Sequence, residues 1–332
     1  MAPELRRPVP GVQEIKTLKP HELLDPDFRS FLTPSKDTWS LKTLSSIRER
    51  VNSTYKSAQA SRCKQRATIA VSGNETIQLC LYRPKMAPTD VKLSAIMYIH
   101  GGGFVLGRPE MADDYLADLA DELQTLIVAV DYRLAPEHSF PIPLEDCYAA
   151  LSWMVGNQDC LCIDAQRIVI MGHSAGGGLA AALCILTRDK SEYTIAGQIL
   201  VYPMLDHRTG AAFSPYRNEI TGTIGWSSVP NQFCWDCMRG DYRLDDDRAG
   251  LFSPSVHQDL TGLPPSFISV GALDLFLEED VTYALNLSRA GVAVELHVYP
   301  GAPHMFDQYP GRITTQSKLD IANALKKYLK SA

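Results

Sequence analysis

The stretch Ile168-Val-Ile-Met-Gly-His-Ser-Ala-Gly-Gly-Gly-Leu179 decides the fold, because it joins two kinds of element through one tight turn. Residues 168–171 are a short apolar run typical of a buried strand, and an Ala- and Leu-rich helical pattern follows. The Gly-x-Ser-x-Gly between them would lift the Ser174 hydroxyl clear of the sheet, at the positive end of the helix. A phosphate-binding turn is the alternative, but the Gly-Lys-Ser/Thr of a Walker loop is absent. The stretch therefore predicts a nucleophilic serine.

Strand-like and helix-like segments alternate on both sides of this turn. The apolar runs predicted as strands are 67–71, 77–82, 95–99, 126–130, 168–171, 199–202, 267–270 and 294–299. Helical periodicity covers 111–123, 143–155 and 176–186, with a further helical stretch near 39–58. Continuous apolar strands alternating with helices predict an α/β domain with a mostly parallel sheet covered on both faces. The gap at 206–265 is too long for a simple crossover, so we expect an inserted subdomain there.

A run of glycines follows the predicted strand at 95–99, in the segment His100-Gly-Gly-Gly-Phe104. Three glycines in a row make sense where backbone amides must approach a ligand without side chains in the way. We expect the N–H groups of Gly102 and Gly103, joined by that of Ala175, to form an oxyanion hole. His100 is interpreted as structural, holding this loop by hydrogen bonds.

A serine nucleophile needs a base, and the base needs a carboxylate that orients it. His304 lies just after the predicted strand at 294–299, and therefore at the same rim of the sheet as Ser174. Asp274 lies past the strand at 267–270, and the order Ser, Asp, His is that of α/β-hydrolases. Glu278, with Glu279 and Asp280, is a rival for Asp274, but these three are typical of the first turn of the next helix.

Together, the segments 100–104, 131–137 and 172–177 with Asp274 and His304 resemble the hormone-sensitive-lipase-like family of α/β-hydrolases, which includes plant-type carboxylesterases. The resemblance runs from about residue 92 to the C-terminal helix. It implies a single domain over 1–332, with an eight-stranded sheet that starts antiparallel. It also implies a helical cap formed by about 1–60 and about 206–248, and a homodimer paired through the last strand and helix. His173 departs from the Asp or Thr usual before the serine.

Composition narrows the functional classes. The net charge is −6, which gives no attraction for phosphate backbones and argues against nucleic-acid binding. The apolar runs are far shorter than the roughly 20 residues that span a bilayer. Eight cysteines without regular spacing and no signal-peptide pattern predict a reducing, cytoplasmic location. The lone Cys-x-x-Cys at Cys234 and Cys237 is interpreted as part of a helix face, with a redox or metal site as the alternative.

The sequence therefore predicts a serine carboxylic-ester hydrolase with the triad Ser174, Asp274 and His304, acting on small to medium esters without metal or cofactor. Aromatic residues expected to contact the substrate are Phe104, Phe213, Trp226 and Trp235. The same triad could serve thioester or lactone cleavage, amide hydrolysis, acyl transfer, or a lyase or dehydratase step. A non-catalytic receptor is the third alternative, but receptors of this superfamily lose a triad member, usually the histidine, and His304 is present.

Overall fold

The computed structural model of the chain describes residues 19–33, 37–57, 60–86 and 91–330. The parts of the expected cap at 1–18, 34–36 and 58–59 lie outside these ranges. All eight predicted strands are present. They are β1 (Gln65–Val71), β2 (Glu75–Tyr82), β3 (Leu93–Ile99), β4 (Leu126–Asp131), β5 (Ile163–His173), β6 (Gly197–Val201), β7 (Ser266–Gly271) and β8 (Val294–Tyr299).

Ten α-helices lie in the described ranges: α1 (Pro20–Leu23), α2 (Leu44–Asn52), α3 (Asp113–Leu123), α4 (Ile142–Gly156), α5 (Gln158–Leu161), α6 (Ala175–Lys190), α7 (Ser228–Arg239), α8 (Ala249–Phe252), α9 (Leu277–Arg289) and α10 (Arg312–Tyr328). Short 3-10 helices cover Pro26–Leu32, Ser72–Asn74, Pro109–Ala112, Pro254–Val256 and Phe306–Gln308. No helix in the described ranges is both long enough and apolar enough to cross a membrane.

The strands form one sheet in the order β1-β2-β4-β3-β5-β6-β7-β8. The pairs β1–β2 and β2–β4 are antiparallel, and every later pair is parallel. The expected mostly parallel eight-stranded sheet with an antiparallel start is confirmed. Because β5, β7 and β8 run parallel, the loops after them emerge at the same edge, and these are the loops that carry the predicted site residues.

Two apolar cores fill the spaces on either side of the sheet. Alternate residues of β3 divide between them: Met97 joins the core that packs against α4, α6 and α9, whereas Ile96 joins the core under α3 and α10. Burial on both faces explains why the strands read as continuous apolar runs rather than as an alternating pattern. The result is a rigid sheet whose carboxyl edge supports the site.

The two candidate cap segments contact each other above this edge; they are defined here as the first, with described residues 20–33 and 37–57, and the second, 206–248. The Trp39 ring, before α2, lies 5.5 Å from that of Trp226 and 5.9 Å from that of Phe233 on α7. Arg48 of α2 reaches the loop that follows β3: its Nε donates to the Val105 carbonyl at 2.7 Å. The predicted helical stretch near 39–58 is shorter in the structure, where α2 covers Leu44–Asn52.

Candidate active site

The turn around Ser174 is as tight as the sequence predicts. Strand β5 ends at His173 and helix α6 begins at Ala175, which leaves Ser174 alone between them at φ 55° and ψ −121°. A non-glycine residue rarely adopts this backbone conformation, which costs on the order of 1–3 kcal/mol and persists only where the surroundings impose it. A Cβ at Gly172 would lie 2.1 Å from the Gly176 carbonyl oxygen, and a Cβ at Gly176 would lie 2.2 Å from the Ile99 carbonyl oxygen, so both positions need glycine.

Ser174, His304 and Asp274 come together in one hydrogen-bonded chain. The Ser174 Oγ lies 3.0 Å from His304 Nε2, and His304 Nδ1 lies 2.7 Å from Asp274 Oδ2. These contacts join residues 130 and 30 positions apart along the chain. Asp274 also accepts a hydrogen bond from the Phe276 N–H at 3.0 Å, which fixes the carboxylate at the start of the turn into α9. The geometry lets a base take the serine proton while a carboxylate holds the imidazole.

The imidazole of His304 lies among aromatic rings. Its centroid is 4.7 Å from that of Tyr202, 5.0 Å from that of Phe276 and 6.0 Å from that of Trp226. His304 and Asp274 are both buried. Burial strengthens the interaction between the imidazole and the carboxylate, because little water is present to screen it.

The rival carboxylates belong to α9 and have other surroundings. Glu279 accepts a hydrogen bond from the Leu205 N–H at 2.7 Å and another from the Thr209 hydroxyl. Asp280 is buried without a hydrogen-bond partner among the described residues. Burial raises the pKa of both carboxyls well above the ordinary range. Among the carboxylates in the described part of the chain, Asp274 is the one that is hydrogen-bonded to the His304 imidazole.

The glycine loop after β3 has a backbone conformation that favours glycine. Gly102 adopts φ 114° and Gly103 φ 59°. The Gly102 carbonyl accepts hydrogen bonds from the Val105 and Leu106 N–H groups, which closes the loop on itself. The N–H groups of Gly102, Gly103 and Ala175 donate to no other group in the described ranges. They are therefore available to a ligand.

His100 is held beneath this loop. Its Nδ1 lies 2.8 Å from the Gly101 carbonyl, and its ring stacks on Tyr132 at 4.2 Å. Burial lowers the pKa of His100 to about 4, so the ring is neutral at pH 7. The side chain lies at the base of the glycine loop, where the sequence interpretation placed a structural histidine.

Two cavities flank the Ser174–His304 pair. The larger, of about 850 Å³, has an apolar wall supplied mainly by the candidate cap segments, including Phe31, Trp39, Ile224 and Trp226. His304 lines this apolar chamber. The smaller, of about 490 Å³, is lined by Ser174 together with several tyrosines and charged side chains. Tyr55, Gly102, Met111, Met305 and Gln308 line both, so the two chambers adjoin at the reaction centre.

Of the four aromatic residues expected to contact the substrate, only Trp226 lines either chamber. Phe104 and Trp235 are buried against each other at 5.2 Å, because α7 turns that face toward the core. Phe213 is 70% exposed on the outer surface. The expectation that Phe104, Phe213 and Trp235 contact the substrate is therefore corrected, because none of the three lines a chamber. Sequence reasoning missed Phe31 and Trp39, because both precede any recognisable motif. Their aromatic character and their place in the predicted cap could have identified them as lining residues.

The Cys-x-x-Cys pair belongs to α7, with both thiols free and buried. Burial raises the pKa of Cys237 to about 11 and that of Cys234 well above the ordinary range, which makes both thiols unreactive. Within the described ranges no group of three or more His, Cys, Asp or Glu side chains could hold a metal ion. The helix-face interpretation fits these surroundings.

Comparison with known proteins decides the family. The family described as alpha/beta hydrolase fold matches residues 96–308. This chain is a member of the α/β-hydrolase family. The carboxylesterase NlhH of Mycobacterium tuberculosis is 34% identical over 245 residues, covering 71% of this hydrolase and 73% of the relative. The ethyl acetate hydrolase of Pseudomonas putida is 31% identical over 258 residues, covering 74% and 76%.

Solved structures show the same relationship. A bacterial heroin esterase is 30% identical with a TM-score of 0.83, and the match covers 93% of this hydrolase and 99% of that chain. The esterase LipW of Mycobacterium marinum is 29% identical with a TM-score of 0.81, covering 93% and 97%. The resemblance to the hormone-sensitive-lipase-like carboxylesterases is confirmed, and the relatives are named as enzymes that cleave esters.

Proposed function

We propose that this α/β-hydrolase is a serine carboxylic-ester hydrolase that works through an acyl-enzyme. One observation carries the proposal: Ser174 Oγ, His304 and Asp274 form a continuous chain with contacts of 3.0 and 2.7 Å, and three nearby backbone N–H groups have no acceptor among the described residues. The names of the relatives, esterase and carboxylesterase, support hydrolysis over the acyl-transfer and lyase alternatives.

In the proposed reaction, Ser174 Oγ attacks the ester carbonyl carbon while His304 Nε2 takes the hydroxyl proton. The carbonyl π electrons move to the oxygen, which accepts hydrogen bonds from the N–H groups of Gly102, Gly103 and Ala175. Asp274 stabilises the imidazolium. As the tetrahedral intermediate collapses, the bond to the alkoxide oxygen breaks and His304 returns the proton to that oxygen. Water then attacks the acyl-enzyme with His304 as base, which frees the acid and restores Ser174.

Small to medium esters fit the space available. The apolar chamber holds about 850 Å³ and adjoins His304, which must reach the leaving oxygen. We assign the cover of this chamber to a cap formed by about 1–60 and about 206–248, within a single domain. Its support is the contact between Trp39 and Trp226 above His304. An apolar wall favours an alkyl or aryl group, since burying each CH₂ contributes about 0.8 kcal/mol.

The homodimer and the location are proposals of the same kind. Strand β8 is an edge of the sheet, so one row of its backbone groups could pair with a second copy, and its Leu296 and Val298 side chains, 38% and 43% exposed, offer apolar surface that the copy would cover. Sedimentation of the Val298→Lys variant beside the unchanged protein tests the dimer. If the dimer forms through β8, the unchanged protein should sediment as a dimer and the variant as a monomer. A reducing compartment, such as the cytoplasm, suits a chain whose eight cysteines are all free.

The test of function is hydrolysis of p-nitrophenyl esters from acetate upward, with labelling by a fluorophosphonate. The unchanged protein should cleave the esters and carry the label on Ser174. The Ser174→Ala variant should lose the label and about 10⁴-fold or more of kcat. Ser255→Ala is the matched control, since its buried hydroxyl has no partner in the described ranges and lies away from both chambers. Labelling at Ser174 without cleavage of any ester would refute the esterase assignment.

A further inference from the structure

The smaller chamber, lined by Ser174, differs from the apolar chamber in chemistry as well as in size. Its inner wall carries Tyr98, His173, Tyr202 and Asp307, which line the chamber together with Ser174. The His173 ring is held edge-on by Tyr98 at 5.5 Å and Tyr202 at 5.7 Å. We call this cavity the polar chamber. None of its inner side chains belongs to the triad or to the oxyanion glycines.

Hydrogen-bonding capacity remains unused on that wall. The Tyr202 hydroxyl donates to Asp307 Oδ1 at 2.6 Å, but Asp307 Oδ2 lies 3.6 Å from His173 Nε2, beyond hydrogen-bond distance. In the part of the chain that the structure describes, the Tyr98 hydroxyl has no hydrogen-bond partner either. On the same wall, His173 Nδ1 and the Tyr115 hydroxyl are buried without a hydrogen-bond partner among the described residues, which is costly unless a ligand or water satisfies them. Both hydrogen-bond donors and acceptors are thus left over on this wall.

The charged side chains of the outer wall already have partners, so this wall offers few groups that could bind a ligand. Its carboxylates are already engaged by cations or donors: Glu110 by Arg66, Asp114 by Lys56, and Asp113 by the Ser61 hydroxyl and the Arg62 N–H. The Lys318 ammonium lies over the Tyr115 ring at 5.5 Å from its centroid, where it disfavours a second cation. Asp307 disfavours an anion. The group that suits the inner wall is neutral, and it both accepts and donates a hydrogen bond.

We propose that the polar chamber binds a hydroxyl group on one half of the substrate ester, while the other, apolar half occupies the apolar chamber. The hydroxyl accepts from the Tyr98 O–H and donates to the free oxygen of Asp307 or to His173. This inference rests on the proposed ester hydrolysis and adds a substrate class to it: esters with one hydroxylated and one alkyl or aryl half. Tyr98, His173 and Asp307 are then specificity-determining residues.

Two ester series test the proposal and decide which half carries the hydroxyl. In the acyl series, butyl butyrate is compared with butyl 3-hydroxybutyrate and with the monobutyl ester of succinic acid. In the alcohol series, propyl hexanoate is compared with the monohexanoate of 1,3-propanediol. In at least one series the hydroxylated ester should have a kcat/KM about fivefold above its plain analogue, which corresponds to one hydrogen bond. The succinate ester should be the poorest of its series.

The decisive variant is Tyr98→Phe, which removes the hydroxyl and keeps the ring that packs on His173. No hydrogen bond within the described ranges is lost, so the variant should fold. It should lower the ratio of hydroxylated to plain kcat/KM about fivefold. Tyr283→Phe is the matched control, because the Tyr283 hydroxyl is also buried without a partner in the described ranges but lines neither chamber. That variant should leave the ratio unchanged.

The outcomes separate this inference from the function beneath it. Two outcomes overturn the proposed role of the polar chamber and leave the esterase assignment unchanged. One is cleavage of plain esters with no preference for the hydroxylated ones, and the other is a preference that remains in Tyr98→Phe. A succinate ester cleaved faster than the hydroxylated one overturns the choice of a neutral group. If no ester of either series is cleaved, both proposals fall together.

Discussion

The carboxyl edge of the sheet and the candidate cap segments enclose the same reaction centre by different means. At the edge, backbone geometry fixes the position of each group. Ser174 is the single residue between β5 and α6, so its backbone conformation is set by the two elements. Gly102 lies where a Cβ would approach the Leu106 carbonyl oxygen to 2.3 Å. In the cap segments, ring contacts such as Trp39 with Trp226 hold the wall, and side chains such as Phe213 remain exposed. From this difference we expect changes at the edge to affect the chemical step, and changes in the cap segments to affect selectivity for the apolar half of the substrate.

The largest expected effect concerns the edge. Asp274→Asn keeps the size of the side chain but removes the charge that holds the His304 tautomer, so kcat should fall about 10⁴-fold. The matched control is Glu278→Gln on the first turn of α9, which should change kcat by less than about threefold because no hydrogen bond in the described ranges joins Glu278 to the imidazole. Steady-state hydrolysis of p-nitrophenyl butyrate measures both. Equal losses in the two variants would contradict the assignment of Asp274.

The next effect concerns the glycine loop. Gly102→Ala forces a Cβ against Leu106 at a φ of +114°, so the loop must shift and kcat should fall about 100-fold through the displaced amides. Gly291→Ala has a similar backbone requirement, φ +80°, but its Cβ would meet nothing within 4 Å. That control should lose about 1–2 kcal/mol of stability and keep its activity. A fully active Gly102→Ala would show that the oxyanion lies elsewhere.

The third prediction concerns the pH dependence of stability, and it involves His100, which lies at the same edge but takes no part in the proposed chemistry. The pKa of His100 is lowered from its ordinary value of 6.5 to about 4, so the unfolded chain binds the proton first as pH falls. This group's contribution is fully present above pH 6.5 and declines by about 3 kcal/mol as pH approaches 4. The free energy of unfolding of His100→Gln, measured with urea, should therefore depend less on pH between about 4 and 6.5 than that of the unchanged protein. Parallel profiles would mean that His100 is not buried in its neutral form.

The smallest effect belongs to the cap segments. Trp226→Ala opens the wall of the apolar chamber beside His304, and kcat/KM for p-nitrophenyl hexanoate should fall about tenfold, with a smaller loss for acetate. Phe213→Ala, on the exposed surface, should change neither value. A uniform loss for acetate and hexanoate in Trp226→Ala would place Trp226 in the chemistry rather than in selectivity, and would blur the distinction between the two regions.

The sequence predicted the edge better than the cap for a physical reason. Ser174, the glycines after His100, and the residues after β7 and β8 stand at strand ends, where spacing along the chain translates directly into position. Strands buried on both faces also read clearly as apolar runs. Phe104, Phe213 and Trp235 could not be placed this way, because an aromatic side chain in an irregular segment faces the cavity, the core or solvent according to packing alone. Tyr98 and Asp307 went unnoticed because the polar chamber forms only when β3, α3 and α10 come together.

Trapping the acyl-enzyme tests the central claim most directly. The protein is mixed rapidly with p-nitrophenyl butyrate, quenched in acid within the first turnover, and digested for peptide mass mapping. The account predicts a burst of p-nitrophenol stoichiometric with the chain and one butyryl group on the peptide that contains Ser174. Turnover of the ester with the butyryl group on any other residue, or with no acylated peptide and no burst, would contradict it.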